Sequence, residues 1–313
     1  MIRSHLHGVT LIAAIAATVG VTSLPADASL RDRIRERMAG RMQQDIAADK
    51  TVDGREMAYG RDPAQTLAFW PAIGQKSAPV PLVLFVHGGG WQHGNKTNAT
   101  GQRKVAHLTA QGYALASIDY RLVPQATVEQ QAADVASALA YVIADADKLN
   151  IDPRRIVLMG HSAGAHLVAL VGTDPRYLRE AGLAPDAAAG IVALDGAAYD
   201  VPAQMKSGPR IMGKTYTEAF GNDPARQKAL SPTLHAAAPN APAFLIFHVD
   251  REDGTAQARA LAEALRKAGT PVQIDRFEGK GLQGHMEINR RLGDPDYPAT
   301  PVLDKWLKAL FAR

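Results

Sequence analysis

The sequence predicts an α/β fold with a mostly parallel central sheet and helices on both faces, and three observations carry that expectation. From about residue 80 onward, short apolar runs alternate with segments whose apolar residues recur every three or four positions. Such alternation places the runs in one sheet and returns the chain through covering helices. Gly160-His161-Ser162-Ala163-Gly164 lies between the apolar run Arg155-Ile156-Val157-Leu158-Met159 and the helix-like His166-Leu167-Val168-Ala169-Leu170-Val171, so a serine stands at the apex of a sharp strand-to-helix turn. Three consecutive glycines, Gly88-Gly89-Gly90, follow the apolar run Val80 to Val86 after a single histidine, His87.

The chain has 313 residues, 46% of them hydrophobic, enough to bury one large core. Cysteine is absent, which excludes a disulfide framework, a thiolate nucleophile and a cysteine metal site. Of the formal charge of +4, a net +3 falls within residues 29–44, where Arg31, Arg33, Arg35, Arg37 and Arg41 face only Asp32 and Glu36. The rest of the chain is close to neutral, so nothing in it argues for a nucleic-acid partner.

Residues 1–28 have the pattern of a secretory signal peptide. Arg3 precedes an uncharged stretch from Gly8 to Leu24, and Pro25-Ala26-Asp27-Ala28 supplies small residues for cleavage. The expectation is an exported protein, periplasmic or secreted. In the basic segment 29–52, Leu30, Ile34, Met38 and Met42 fall four apart and would form a thin apolar stripe on a helix. Membrane contact, if there is any, is expected only through residues 29–50.

The α/β domain is expected over 53–313. Met57 to Gly60 and Leu67 to Pro71 read as a strand pair turned at Asp62-Pro63. Val80 to Val86 is apolar on both faces, as a central strand of a covered sheet must be. It runs into His87-Gly88-Gly89-Gly90-Trp91, where glycines at the end of a buried strand leave backbone amides bare to receive an oxyanion. Tyr113 to Asp119 is a strand. Val128, Ala132, Val135, Leu139, Val142 and Ala146 make one helix face. After the serine turn come a strand over Gly190 to Leu194, then a weakly periodic stretch, 195–242, read as a lid or pocket wall. Ala243 to His248 is a strand, Thr255 to Ala268 a helix, Val272 to Phe277 a strand and Pro301 to Phe311 a closing helix.

A serine nucleophile needs a base, and the base needs a carboxylate to orient it. His285, in the glycine-rich stretch Gly279 to Met286, is the only histidine after the last strand and is the expected base. Asp250 and Asp253 both follow the strand ending at His248; Asp253 is preferred as the acid, with Asp250 the alternative. His161 and His166 flank the serine without a third ligand at metal-binding spacing, so they read as structural.

Taken together, these residues resemble the α/β-hydrolase superfamily, and within it the carboxylesterase branch of hormone-sensitive-lipase-like, feruloyl-esterase-like and kynurenine-formamidase-like enzymes. The resemblance rests on Tyr59-Gly60-Arg61-Asp62-Pro63, His87 to Trp91 with Gly94 and Lys96, Asp119-Tyr120-Arg121-Leu122, the Gly160 to Gly164 turn, and His285 with Ile288-Asn289. It covers about residues 53 to 313, and it departs from the family at Val249 to Gly254, where the usual glycine-then-aspartate pattern is not clean. It implies an α/β-hydrolase fold and a serine hydrolase of carboxylic esters. Ser162 would be the nucleophile, and the amides of Gly88, Gly89, Gly90 and Ala163 the oxyanion hole. Trp91 and His93 are expected to shape a pocket for a small-molecule ester, and the chemistry calls for no metal or organic cofactor. Two other readings use the same residues: an amidase of the formamidase type, and a hydrolase-fold protein that binds without chemistry.

Overall fold

In the computed structural model, residues 54–74, 78–97, 100–237 and 239–312 are described. The expectations for the signal peptide and for the basic segment 29–52 lie outside the described residues. None of the helices among the described residues is long and apolar enough to cross a membrane.

Eight strands form one sheet in the order β1-β2-β4-β3-β5-β6-β7-β8. β1 (Arg55–Ala58) and β2 (Thr66–Trp70) are the predicted hairpin, and β2 pairs antiparallel with β4 (Ala114–Ile118), Leu67 opposite Ile118. From there the sheet is parallel: β3 (Val80–Val86) lies between β4 and β5 (Ile151–His161), followed by β6 (Gly190–Leu194), β7 (Phe244–Asp250) and β8 (Val272–Lys280).

The helices follow in chain order: α1 (Gln102–Ala110), α2 (Val128–Ala144), α3 (Ala146–Leu149), α4 (Ala163–Thr173) and α5 (Pro175–Glu180). Between β6 and β7 lie α6 (Val201–Ser207), a 3-10 turn at Arg210–Met212, α7 (Gly213–Phe220), α8 (Pro224–Ala229) and α9 (Pro232–His235). The chain closes with α10 (Glu252–Lys267), α11 (Gly281–Arg290) and α12 (Ala299–Phe311).

Because successive side chains of a strand point to opposite faces, the unbroken apolar runs feed two cores at once. Leu82, Leu84, Ile156, Leu158, Ile191 and Ile246 join the core shared with α2, α4 and α10. Their neighbours Val83, Phe85, Val157, Met159, Val192 and Phe247 join the core shared with α1, α11 and α12. Each fully buried side chain of this size stabilises the fold by roughly 1.5–3 kcal/mol relative to exposure.

The stretch 195–242 is more helical than its sequence pattern suggests. The helices there are too short to show a period, and local chemistry starts them instead: Asp200 accepts from the Ala203 amide at 3.0 Å, Asp223 from the Ala225 amide at 3.0 Å, and Pro202 and Pro224 stand in the first turns. This segment lies beside the glycine loop, since a Cβ built on Gly90 would come within 3.0 Å of Thr215 Cγ2 and 4.0 Å of Met212 Cε.

Candidate active site

Ser162 occupies the end of β5, where it turns into α4. Its backbone has φ 55° and ψ −117°, a region that a side chain adopts only under strain. Two contacts hold it there. The Ser162 amide donates to the Leu194 carbonyl of β6 at 3.0 Å, and a close approach of α4 to β3 leaves no room for a side chain at Gly164, where a Cβ would lie 2.1 Å from the Val86 carbonyl oxygen. The same crowding acts at Gly160, whose Cβ would stand 2.3 Å from the Gly164 oxygen. The glycines two before and two after the serine are thus required by backbone contacts, as the sequence pattern implied.

The glycine loop lies alongside. A Cβ on Gly88 would be 3.0 Å from Ser162 Cβ, and Gly89 and Gly90 have φ of +125° and +61°. Among the described residues, the amides of Gly89, Gly90 and Ala163 make no backbone hydrogen bond. The loop is tied down around them. Tyr120 Oη donates to the His87 carbonyl at 2.9 Å and stacks on the His87 ring, with centroids 4.3 Å apart. The Lys96 amide donates to Asp119 Oδ1 at 2.6 Å and its ammonium to Oδ2 at 2.8 Å. Gln131 of α2 donates to the Trp91 carbonyl at 2.8 Å. α2 is itself capped by Thr127 and Gln130, each side chain bonding the other's amide.

His285 meets the serine: its Nε2 is 3.0 Å from Ser162 Oγ. The glycine-rich stretch read as a loop is instead the turn from β8 into the first part of α11. Glycine serves close packing here, because a Cβ on Gly284 would be 2.5 Å from the Gly279 carbonyl carbon. His161 Nε2 donates to the His285 carbonyl at 2.8 Å, with the two rings 4.5 Å apart.

The carboxylate facing His285 belongs to neither predicted aspartate. Nδ1 of His285 is 2.6 Å from Oδ2 of Asp195, the residue directly after β6. Asp250 ends β7 in register with Lys280 and is exposed. Asp253 lies in the first turn of α10, where its carboxylate accepts from Gln204 Nε2 at 3.1 Å and Arg251 Nη1 at 3.4 Å. The expectation that Asp253, or Asp250, orients His285 is therefore corrected to Asp195. The physical reason is the cation that stands between the two predicted aspartates: Arg251 Nε bonds Asp195 Oδ2 at 3.0 Å and its Nη1 reaches Asp253 Oδ2 at 3.4 Å, so that Asp253 faces Arg251 and Gln204 rather than His285. Asp195 was legible only as an acid at the carboxyl end of a buried strand, the same placement that Ser162 has.

Asp195 is fully buried, and its φ is 43°. Its amide donates to Phe247 O at 2.7 Å, and its Oδ1 accepts from the Val249 amide at 3.1 Å. Burial alone would raise its pKa; the bond from His285 and the charges of His285 and Arg251 outweigh burial and hold it down at about 2. His161 is pushed well below the ordinary histidine value by burial and then by its neighbour His285, so its ring is neutral. Burial lowers His166 to about 4; its Nε2 donates to the Leu230 carbonyl at 2.8 Å, and its Nδ1 accepts from Trp91 Nε1 at 3.4 Å.

Trp91, expected to shape an open pocket, is 1% exposed and packs edge-on against Phe220 at 4.7 Å and His166 at 5.5 Å. It belongs to the core beneath the loop, while His93 is exposed. Among the described residues no cluster of three or more histidines, aspartates or glutamates stands ready to hold a metal ion. A hydroxyl that can pass its proton to a neutral imidazole, beside bare amides, can attack an acyl carbonyl and hold the resulting oxyanion.

Comparison with known proteins finds similarity to esterases. The BD-FAE family model matches residues 70–184, a stretch that contains the glycine loop and Ser162 and stops short of Asp195 and His285. The chain is 32% identical to Esterase LipC of Mycobacterium tuberculosis over 244 residues, covering 75% of this chain and 60% of that protein. It is 27% identical over 248 residues to a probable isoprenylcysteine alpha-carbonyl methylesterase of Arabidopsis thaliana, covering 72% of this chain and 50% of that protein. The chain thus spans little more than half the length of these two relatives. Among solved structures, esterase B from Lactobacillus rhamnosis superposes with a TM-score of 0.71 at 19% identity, covering 92% of this chain and 95% of that one. Thermogutta terrifontis esterase 2 superposes with a TM-score of 0.66 at 24% identity, over 83% and 96%.

Proposed function

We propose that this chain, a member of the α/β-hydrolase superfamily, hydrolyses carboxylic esters through an acyl-enzyme formed on Ser162. The observation that carries the reading is the unbroken series from Ser162 Oγ to His285 Nε2 at 3.0 Å and from His285 Nδ1 to Asp195 Oδ2 at 2.6 Å, set beside unbonded loop amides. Similarity to esterases supports the choice of esters over amides.

The chemistry follows from these positions. As Ser162 Oγ attacks the acyl carbon, its proton passes to His285 Nε2, and the carbonyl oxygen becomes an oxyanion held by the amides of Gly89, Gly90 and Ala163. Asp195 keeps the Nδ1 proton in place and stabilises the imidazolium that forms. Collapse of the tetrahedral intermediate breaks the bond to the alcohol oxygen, which takes the proton from Nε2 and departs. Water then gives a proton to Nε2 and attacks the acyl-serine; a second collapse returns that proton to Ser162 and releases the carboxylic acid. The strained backbone at Ser162 holds Oγ forward, so little reorganisation is needed at the moment of attack.

We also infer that the N-terminal 28 residues direct export, so that the enzyme acts in the periplasm or outside the cell. Fractionation of the producing cells checks this, and activity retained in the cytoplasm with residues 1–28 still attached overturns it. For the reaction, p-nitrophenyl butyrate and an N-formyl arylamine are offered to the protein and to Ser162→Ala. The ester should be turned over, the amide slowly or not at all, and the variant should be inert while retaining its far-UV circular dichroism. Ester turnover undiminished in Ser162→Ala removes the nucleophile assignment.

A further inference from the structure

Arg251 is placed as part of the machinery behind the site. It follows β7 directly, its side chain is 14% exposed, and its guanidinium reaches four oxygens: Asp195 Oδ2 at 3.0 Å, the Asp195 carbonyl at 3.5 Å, the Gly196 carbonyl at 3.2 Å and Asp253 Oδ2 at 3.4 Å. Room for it is built into the fold. A Cβ on Gly254 would stand 2.7 Å from Arg251 Nη2 and 3.1 Å from its Cζ, so the glycine leaves the space that the guanidinium fills. Arg251 Nε and His285 Nδ1 donate to the same oxygen of Asp195, while the Val249 amide holds the other.

We propose that Arg251, counter-charged by Asp253, is a positioning residue of this site: it locks the Asp195 carboxylate in the rotamer that meets His285 and tempers that carboxylate's pull on the imidazolium. The proposal rests on the Ser162, His285 and Asp195 reading given above. The guanidinium grips Asp195 at both ends, with Nε on the carboxylate Oδ2 and Nη2 on the Asp195 and Gly196 carbonyls, and so fixes the side chain relative to its own backbone, which the Val249 amide alone could not do. Its positive charge also competes for the oxygen that faces the imidazolium formed in the reaction, because a carboxylate already paired with a cation stabilises a second cation less. Asp253 acts in the opposite sense by drawing off part of the Arg251 charge.

Among the described side chains, those that bond the Asp195 carboxylate are Arg251 and His285. His161 at the end of β5 is neutral by burial. Tyr199, packed near Asp195, has its pKa pushed far up by burial and stays protonated; Tyr297, near α11, is pushed up to about 12, first by burial. Lys104 of α1 is the further cation on that side, bonded to the Asn289 carbonyl of α11.

The test is the pH profile of kcat/KM with p-nitrophenyl butyrate. Arg251→Gln should move the acidic limb upward by roughly one pH unit. Arg251→Lys, which restores the charge without the fork, should return the limb toward the parent and leave kcat reduced. Gly254→Ala keeps the arginine but pushes the guanidinium off Asp195 without straining the helix, and should move the limb upward by a smaller amount. Asp253→Asn should move it downward. If Arg251→Gln does not fold, Gly254→Ala and Asp253→Asn still read the effect. Acidic limbs of the Arg251 and Gly254 variants that coincide with the parent overturn the proposal. An Asp195→Asn arm separates the two readings: loss of activity there with unmoved limbs elsewhere removes the role of Arg251 alone, whereas full activity in Asp195→Asn removes both.

Discussion

Asp195 and His285 are 90 residues apart in the chain, yet Oδ2 of the one lies 2.6 Å from Nδ1 of the other. The contact is made by the order of the sheet. β5 and β6 are hydrogen-bonded neighbours, so Ser162 and Asp195, one residue past the end of each, emerge side by side at the same edge. β8 lies two places further on, and α11, turning back from it, brings His285 across to both. Parallel strands bring residues from distant parts of the chain to their carboxyl ends, and that is where this site is built.

Asp195→Asn should reduce kcat/KM by roughly 10³ to 10⁴, because an amide offers His285 Nδ1 a poorer acceptor and no charge for the imidazolium. Asp250→Asn, at an exposed strand end, should stay within about twofold of the parent, as surface substitutions do. Steady-state kinetics on the purified variants decides it. A loss at Asp250→Asn with Asp195→Asn close to the parent would instead reinstate Asp250, the alternative acid read from the sequence.

The same carboxylate makes stability depend on pH. Its folded pKa, about 2, lies below the ordinary aspartate value, so the unfolded chain binds the proton more readily. The contribution is fully present above the unfolded value and is lost as pH falls toward the folded one. It amounts to ~2–3 kcal/mol for a group this buried. Urea unfolding at a series of pH values should show the parent losing more stability below about pH 4 than Asp195→Asn does. Parallel curves would mean that other carboxylates carry the acid sensitivity.

Much of this was legible in the chain. Ser162 could be found because its turn leaves a local signature, two glycines that backbone contacts with β3 and α4 demand. His285 could be found by elimination, although its setting could not: Gly279, Gly281 and Gly284 read as a loop, while in space they let β8 and α11 pack backbone to backbone. Asp195 was hidden by ambiguity. Three aspartates follow strands in this region, and the contact of Asp195 with His285, across 90 positions, tells which one faces the imidazole. Trp91 was misjudged for a related reason: a tryptophan beside a glycine loop reads as a pocket wall until Tyr216 and Phe220 are seen to close over it.

That burial gives Trp91 a structural signature that a pocket residue would lack. Trp91→Ala removes a ring packed on His166, Tyr216 and Phe220 and should destabilise the fold by ~3–5 kcal/mol. For a domain of this size the thermal midpoint should fall by roughly 10 °C. A residue that only lined the pocket would change KM and leave the midpoint in place. Thermal denaturation beside kinetics at low temperature separates the two, and an unchanged midpoint would return Trp91 to the pocket.

His161 makes a prediction of another kind, because its ring lies beside that of His285 while its hydrogen bond goes to the His285 backbone. Its Nε2 donates to the His285 carbonyl at 2.8 Å, and burial keeps the ring neutral, so it can act as a fixed donor but not as a second base. Replacing it with phenylalanine keeps the bulk and removes the side-chain bond that ties this turn of α11 to β5, which costs ~0.5–1.5 kcal/mol and frees α11 to shift against Ser162. Misplacing a catalytic group by about 1 Å can cost on the order of 10² in rate, so His161→Phe should lower kcat by one to two orders of magnitude with KM little changed. Glutamine, which can present an amide nitrogen near the position of Nε2, should recover part of the loss. Because the neutral ring carries no charge, the acidic limb of the pH profile should stay where it is in both variants. A limb that moves with His161→Phe would mean that the ring acts electrostatically on His285 and is not simply a brace for its backbone.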